Sequence, residues 1–148
     1  MINLHLEHEA LDAADAAFVV DGLEAAMRRL AVPEDTEVAL VLTGDALLAQ
    51  LNEQYRGKTG PTDVLSFPVD PEDRMPGEPA QLGDILISVP QAEANAAAAG
   101  HAPALELRLL AVHGLLHLLG HEDETEAGAE AMRAEELRLG VREADDGG

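Results

Sequence analysis

Ile2, Leu4 and Leu6 alternate with Asn3, His5 and Glu7, the two-residue period of a half-buried strand. The period then lengthens to that of a helix over residues 13–30, with Asp12 placed to cap it and Arg28-Arg29 in its last turn. Beyond Pro33 the alternation returns as a strand over 36–42. Residues 45–54 predict a short helix that carries Leu47, Leu48 and Leu51 inward. A turn-forming run over 55–63 leads into a strand over 64–69, and the Pro-rich, acidic residues 70–81 form a loop to a strand over 84–89. Pro90 suits the first turn of a helix that Gly100 ends. A long apolar helix over 103–119 and a last helix over 124–139 complete the chain. The pattern predicts one α+β domain across residues 1–148, with about four strands in a mixed sheet, hairpin-like pairing in its middle, and about five helices. Residues from about 141 onward read as a loose acidic end.

The helix over 103–119 is apolar on nearly all sides, which marks a buried element. It nevertheless carries His113 and His117, and residues four apart share a helix face. An unpaired buried imidazole costs about 1–3 kcal/mol, so both rings need partners. Two histidines at this spacing, with Gly120, His121 and Asp123 following, form the layout of a metal site at the end of a buried helix. His121 continues the four-residue spacing. In an unbroken helix, however, it would stand about 12 Å along the axis from His113, too far for one ion. Gly120 can reverse the chain by taking a left-handed conformation. That favours Asp123 as the third ligand, with His121 as the alternative.

Composition narrows the chemistry. The chain has no cysteine, so disulfides and thiolate ligands are excluded and a metal must rely on histidine and carboxylate. A net charge of −20 speaks against generic nucleic-acid binding, though not against a local cationic groove around Arg56 and Lys58 or a divalent ion that meets a phosphate. The acidic run over 121–148 reads as a solvated helix face. No apolar run reaches ~18 residues and no basic leader precedes the first strand, so a soluble, cytoplasmic protein without a membrane partner is expected.

The ligand spacing matches the extended zinc-protease pattern, but those enzymes place a glutamate base directly after the first histidine, and here that residue is Gly114. The expected chemistry is therefore a different hydrolysis. Three segments carry a resemblance: His113-Gly114 through His117-Leu118 to Gly120; Asn52, Tyr55-Arg56 and Lys58 with the run Pro61-Thr62-Asp63-Val64-Leu65-Ser66-Phe67-Pro68; and Leu82-Gly83-Asp84-Ile85 with Ile87-Ser88. Together they resemble the signatures of the YbeY family, bacterial endoribonucleases of ribosomal RNA maturation.

The resemblance implies a single-strand-specific, metal-dependent endoribonuclease acting in 16S rRNA maturation and ribosome quality control. It implies one Zn²⁺ or other divalent ion per chain on His113, His117 and Asp123, where the family usually has a third histidine in place of Asp123. It implies RNA, the small ribosomal subunit and an assembly GTPase as partners. Arg56 matches a functionally important arginine of the family; its planar guanidinium can hold a phosphate through paired hydrogen bonds. Lys58 and Ser66 are weaker substrate-binding candidates. No residue stands out as a general base. Asp63 and Asp84 read as turn-binding residues at strand entries, and His5, His8 and His101 as surface residues. The competing readings are an assembly factor with a structural metal and little nuclease activity, and a metal-dependent hydrolase of another class.

Overall fold

Alternation of apolar residues sets the sheet. In the computed structural model, which describes residues 2–7, 11–57, 60, 62–70, 76–77 and 80–140, β1 (Ile2–Leu6), β2 (Glu37–Thr43) and β4 (Gln81–Ser88) run parallel. The fourth strand, β3 (Val64–Pro68), pairs antiparallel with β4 and gives the order β1-β2-β4-β3. Five helices complete the domain: α1 (Ala13–Arg29), α2 (Asp45–Arg56), α3 (Val89–Ala99), α4 (Pro103–Leu118) and α5 (Glu126–Arg138). The mixed four-stranded sheet, the five helices and the hairpin-like β3–β4 pair are as the sequence predicts.

Val38, Leu40 and Leu42 of β2 and Ile85 and Ile87 of β4 belong to one apolar cluster with residues of α1, α3 and α4, and all five are fully buried. Residues of the opposite parity, Leu86 and Val41, join Leu65 and the fully buried Leu48 of α2 in a second, smaller cluster. Burying each such leucine contributes about 1.5–3 kcal/mol relative to leaving it in water. α4 lies at the centre of the first layer. Leu107, Ala111, Val112, Leu115 and Leu116 are wholly inaccessible, which accounts for a helix that is apolar around most of its circumference.

Two expectations shift. β1 alternates, yet Leu4 and Leu6 are exposed, because β1 is an edge strand at the margin of the helix layer. β4 begins three residues earlier than predicted, at Gln81, and its pairing with β2 is irregular between Glu37 and Val38. Gly83 makes this possible. A side chain there would meet the Phe67 carbonyl, Pro68 and Leu118, so only glycine lets β3, β4 and α4 converge. Asp84 consequently lies within β4, paired with Ala39 and Phe67, and not at a strand entry. Lys58, His8 and residues 141–148 lie outside the described residues. Among the described residues no helix is long and apolar enough to cross a membrane.

Gly114 is the other point of close approach. A methyl group on it would lie 2.7 Å from Ile85 Cγ2 and 3.0 Å from Ser66 Oγ. Ser66 uses the same contact to donate its hydroxyl to the Gly114 carbonyl at 3.1 Å. Gly114→Ala should therefore cost about 1–3 kcal/mol by overpacking. Gly44→Ser, at a helix N-cap with open space around it, should change stability by less than about 0.5 kcal/mol. Urea denaturation of the two variants tests this; equal midpoints would show that α4 tolerates a side chain against the sheet.

Candidate metal centre

α4 presents both histidines in its last two turns and then stops. The Gly120 amide bonds to the His117 carbonyl and the His121 amide to the Leu116 carbonyl, each at 3.0 Å, with Gly120 at φ +101°. This is a Schellman end, and it turns the chain back toward the helix. The Glu122 carboxylate fixes the segment that follows: it accepts from the Glu124 amide at 2.8 Å, the Thr125 amide at 3.0 Å and the Thr125 hydroxyl at 2.7 Å. Those bonds, led by the one from the Thr125 hydroxyl, hold the Glu122 carboxyl below the ordinary glutamate pKa. The Thr125 hydroxyl in turn caps α5 through the Gly128 amide. Asp123 thus sits in a braced turn.

The reversal brings three donors together. His113 Nε2 and His117 Nε2 are 3.1 Å apart, and Asp123 Oδ2 lies 3.4 Å from the first and 3.6 Å from the second. Bonds of about 2.0–2.1 Å to a tetrahedral ion would set such edges near about 3.4 Å. The ring tautomers are fixed from behind. A carbonyl can only accept, so His117 Nδ1 donates to the His121 carbonyl at 3.1 Å. His113 Nδ1 meets Glu136 Oε1 at 2.7 Å. With both Nδ1 atoms engaged as donors, both Nε2 lone pairs point into the same gap. Donor set, spacing and tautomers fit a divalent ion. His121 contributes its backbone carbonyl to this arrangement, while its imidazole is outside the donor group.

Glu136 was not visible as a site residue in the sequence. It lies in the acidic run read as a solvated face, yet it is only 2% exposed and reaches His113 from α5. The signal was Met132 four residues earlier, also buried and on the same helix face. Burial by itself disfavours a charged His113. The hydrogen bond and charge of Glu136, helped by Asp123 and Asp63, more than reverse that and hold its pKa above the ordinary imidazole value. The pocket between α4 and α5 is arranged to hold positive charge.

The cluster opens into a cleft of about 670 Å³ that Arg56, Tyr55, Ser66 and Phe67 also line. Arg56 is exposed in the last turn of α2. Asn52, buried on the same helix, donates to the Gly60 carbonyl at 3.0 Å. Ser66 lines the cleft on the edge strand, with its hydroxyl hydrogen given to Gly114. Asp63 accepts from Asn95 of α3 at 3.1 Å. Among the described lining residues one guanidinium faces four carboxylates, those of Asp63, Glu122, Asp123 and Glu124. Lys58, the other cation of the groove expected around Arg56, lies outside the described residues. His5 is exposed as expected. His101 instead pairs with the buried Glu106 at 2.7 Å, which satisfies a carboxylate on the first turn of α4.

Comparison with known proteins agrees with this architecture. The family profile described as Endoribonuclease YbeY matches residues 2–141. A Moorella thermoacetica protein named Endoribonuclease YbeY is 48% identical over 120 residues, covering 76% of each chain. One of the same name from Chloroflexus aggregans is 45% identical over 129 residues and covers 84% of each. A solution structure of a Thermotoga maritima protein superposes with a TM-score of 0.59 at 24% identity, covering 100% of this chain and 99% of that one, and shares the fold.

Removing the carboxylate behind His113 should loosen the site without touching a donor. We expect Glu136→Ala to weaken zinc binding about 10–100-fold in competition with a chromophoric chelator, with Glu136→Gln intermediate. Unchanged affinity in both variants would show that Glu136 only packs.

Proposed function

The chain belongs to the YbeY endoribonuclease family, and from that premise we propose that it cleaves single-stranded RNA at the cleft between α4, β3 and the end of α2. His113, His117 and Asp123 would hold the metal, with zinc as the expected ion. One observation carries the reading: three donor atoms of those residues, all within 4.8 Å of one another, share a cleft with Arg56.

When bound, a divalent ion supplies positive charge to polarise a phosphoryl oxygen and to activate water. The chain's own residues do the rest. Glu136 and the His121 carbonyl engage both Nδ1 atoms and so leave both Nε2 atoms aimed at one point. Arg56 orients the phosphate through paired hydrogen bonds and offsets the charge that grows on it. Asp123, a carboxylate where the resemblance leads one to expect histidine, lowers the formal charge of the site by one and favours tolerance of Mn²⁺ beside zinc. Gly114 stands where a zinc peptidase would carry its glutamate base, and a side chain there would crowd Ile85 and Ser66, which counts against the peptidase alternative.

The family assignment supports a role in 16S rRNA maturation and ribosome quality control in the cytoplasm. The small ribosomal subunit and an assembly GTPase are the partners that role implies. An assembly factor with a structural metal would close its ion with four protein ligands. Among the described residues the donor group has three members and faces the cleft, which favours the enzyme.

Cleavage of a defined single-stranded RNA tests the reading. We expect the wild-type protein to cut it, a chelator to abolish cutting, and His117→Ala and Arg56→Ala each to lower kcat/KM by about 10²-fold or more. Equal cleavage by all three proteins would identify a contaminating nuclease and overturn the assignment.

A further inference from the structure

The cleft has an aromatic element that the chemistry so far leaves unused. Tyr55 stands beside Arg56 in the last turn of α2 and is 68% exposed. Its ring meets Phe67 of β3 edge-to-face, with centroids 5.3 Å apart and planes at 66°. Both rings line the cleft that holds His113, His117 and Asp123. A single exposed aromatic is ordinary on a protein surface. Here the chain owns only two phenylalanines and one tyrosine, and two of those three rings are placed together at the site.

Electrostatics gives them a purpose. Phosphate attraction, the usual source of affinity for nucleic acid, is confined in this cleft to Arg56 and the metal donors, because the other described charged lining residues, Asp63, Glu122 and Glu124, are acids. A strand bound there needs a contribution that does not depend on charge. Stacking of a base on an aromatic ring supplies about tenfold in affinity per base, and any base will serve. Bases inside a duplex already stack on one another, so only an unpaired nucleotide can offer its face.

We propose that Tyr55, braced by Phe67, is a stacking platform for the base of an unpaired nucleotide next to the phosphate held by Arg56. It is the element that makes the cleft select single strands. This rests on the endoribonuclease reading and adds to it a binding subsite for a nucleobase.

Tyr55 is the sole tyrosine of a chain without tryptophan, so the tyrosine emission of the whole protein reports on this one ring. The wild-type protein is mixed with an end-labelled single-stranded RNA, and emission and label anisotropy are followed before turnover. The same is done with an abasic strand of equal length and with the duplex. The expected result is quenching by the single strand alone, beyond the absorbance correction measured with free tyrosine. In steady-state cleavage, Tyr55→Leu should raise KM about tenfold with kcat changed less than about threefold, and Tyr55→Phe should restore the wild-type KM. Anisotropy that reports bound single strand with unquenched emission would overturn the platform while leaving the nuclease intact. Equal quenching by the abasic strand would do the same, as would a wild-type KM in Tyr55→Leu. A wild-type protein that neither binds nor cuts RNA would overturn the platform and the endoribonuclease reading together.

Discussion

Two imidazole nitrogens 3.1 Å apart, Nε2 of His113 and Nε2 of His117, form the contact on which the rest of this structure depends. Neither ring can turn away. His117 is held by the His121 carbonyl and His113 by a carboxylate that is itself buried. Burial disfavours a charged His113, but the hydrogen bond and charge of Glu136, with Asp123 and Asp63, outweigh it and hold the His113 pKa above its ordinary value, so the surroundings favour positive charge at this ring. Asp123, brought within 3.6 Å of both nitrogens, adds the third donor and tips the balance toward a dication.

Much of the fold can be read as support for that contact. α4 must be buried to be rigid, so it is apolar almost all round. It must also press close to β3 and β4, so it carries Gly114 where the zinc-protease helix carries its glutamate base. Its end must reverse abruptly, so Gly120 takes a left-handed turn and Glu122 locks the loop that returns Asp123. α5 closes the arrangement by delivering Glu136 from the far side. These are consistent demands at different scales, and each falls on a residue suited to it.

The elements were largely legible because their hydrophobic periods are regular: the five helices, the β3–β4 pair and the buried character of α4 all follow from spacing. The approximate position of Asp123 followed from helix rise and one glycine. Glu136 was hidden because a buried carboxylate in an acidic run carries the same local pattern as a solvated one; only the packing of α5 on α4 separates them. The early start of β4 was missed because Gln81-Leu82-Gly83 has weak strand character and pairs only through the close approach that Gly83 permits. Several motif residues turned out to support the site through hydrogen bonds of their own. Asn52 donates to the Gly60 carbonyl, Asp63 bonds α3, and Ser88 caps α3 and donates to Asp45.

The central claim is that two fixed tautomers aim their Nε2 atoms at one ion. Long-range ¹⁵N–¹H NMR of the imidazoles during zinc titration tests it most directly. His113 and His117 should both carry their proton on Nδ1, and both Nε2 resonances should shift together and saturate at one equivalent of zinc. A proton on Nε2 of either ring in the zinc-loaded protein, or Nε2 signals that ignore the metal, would contradict it.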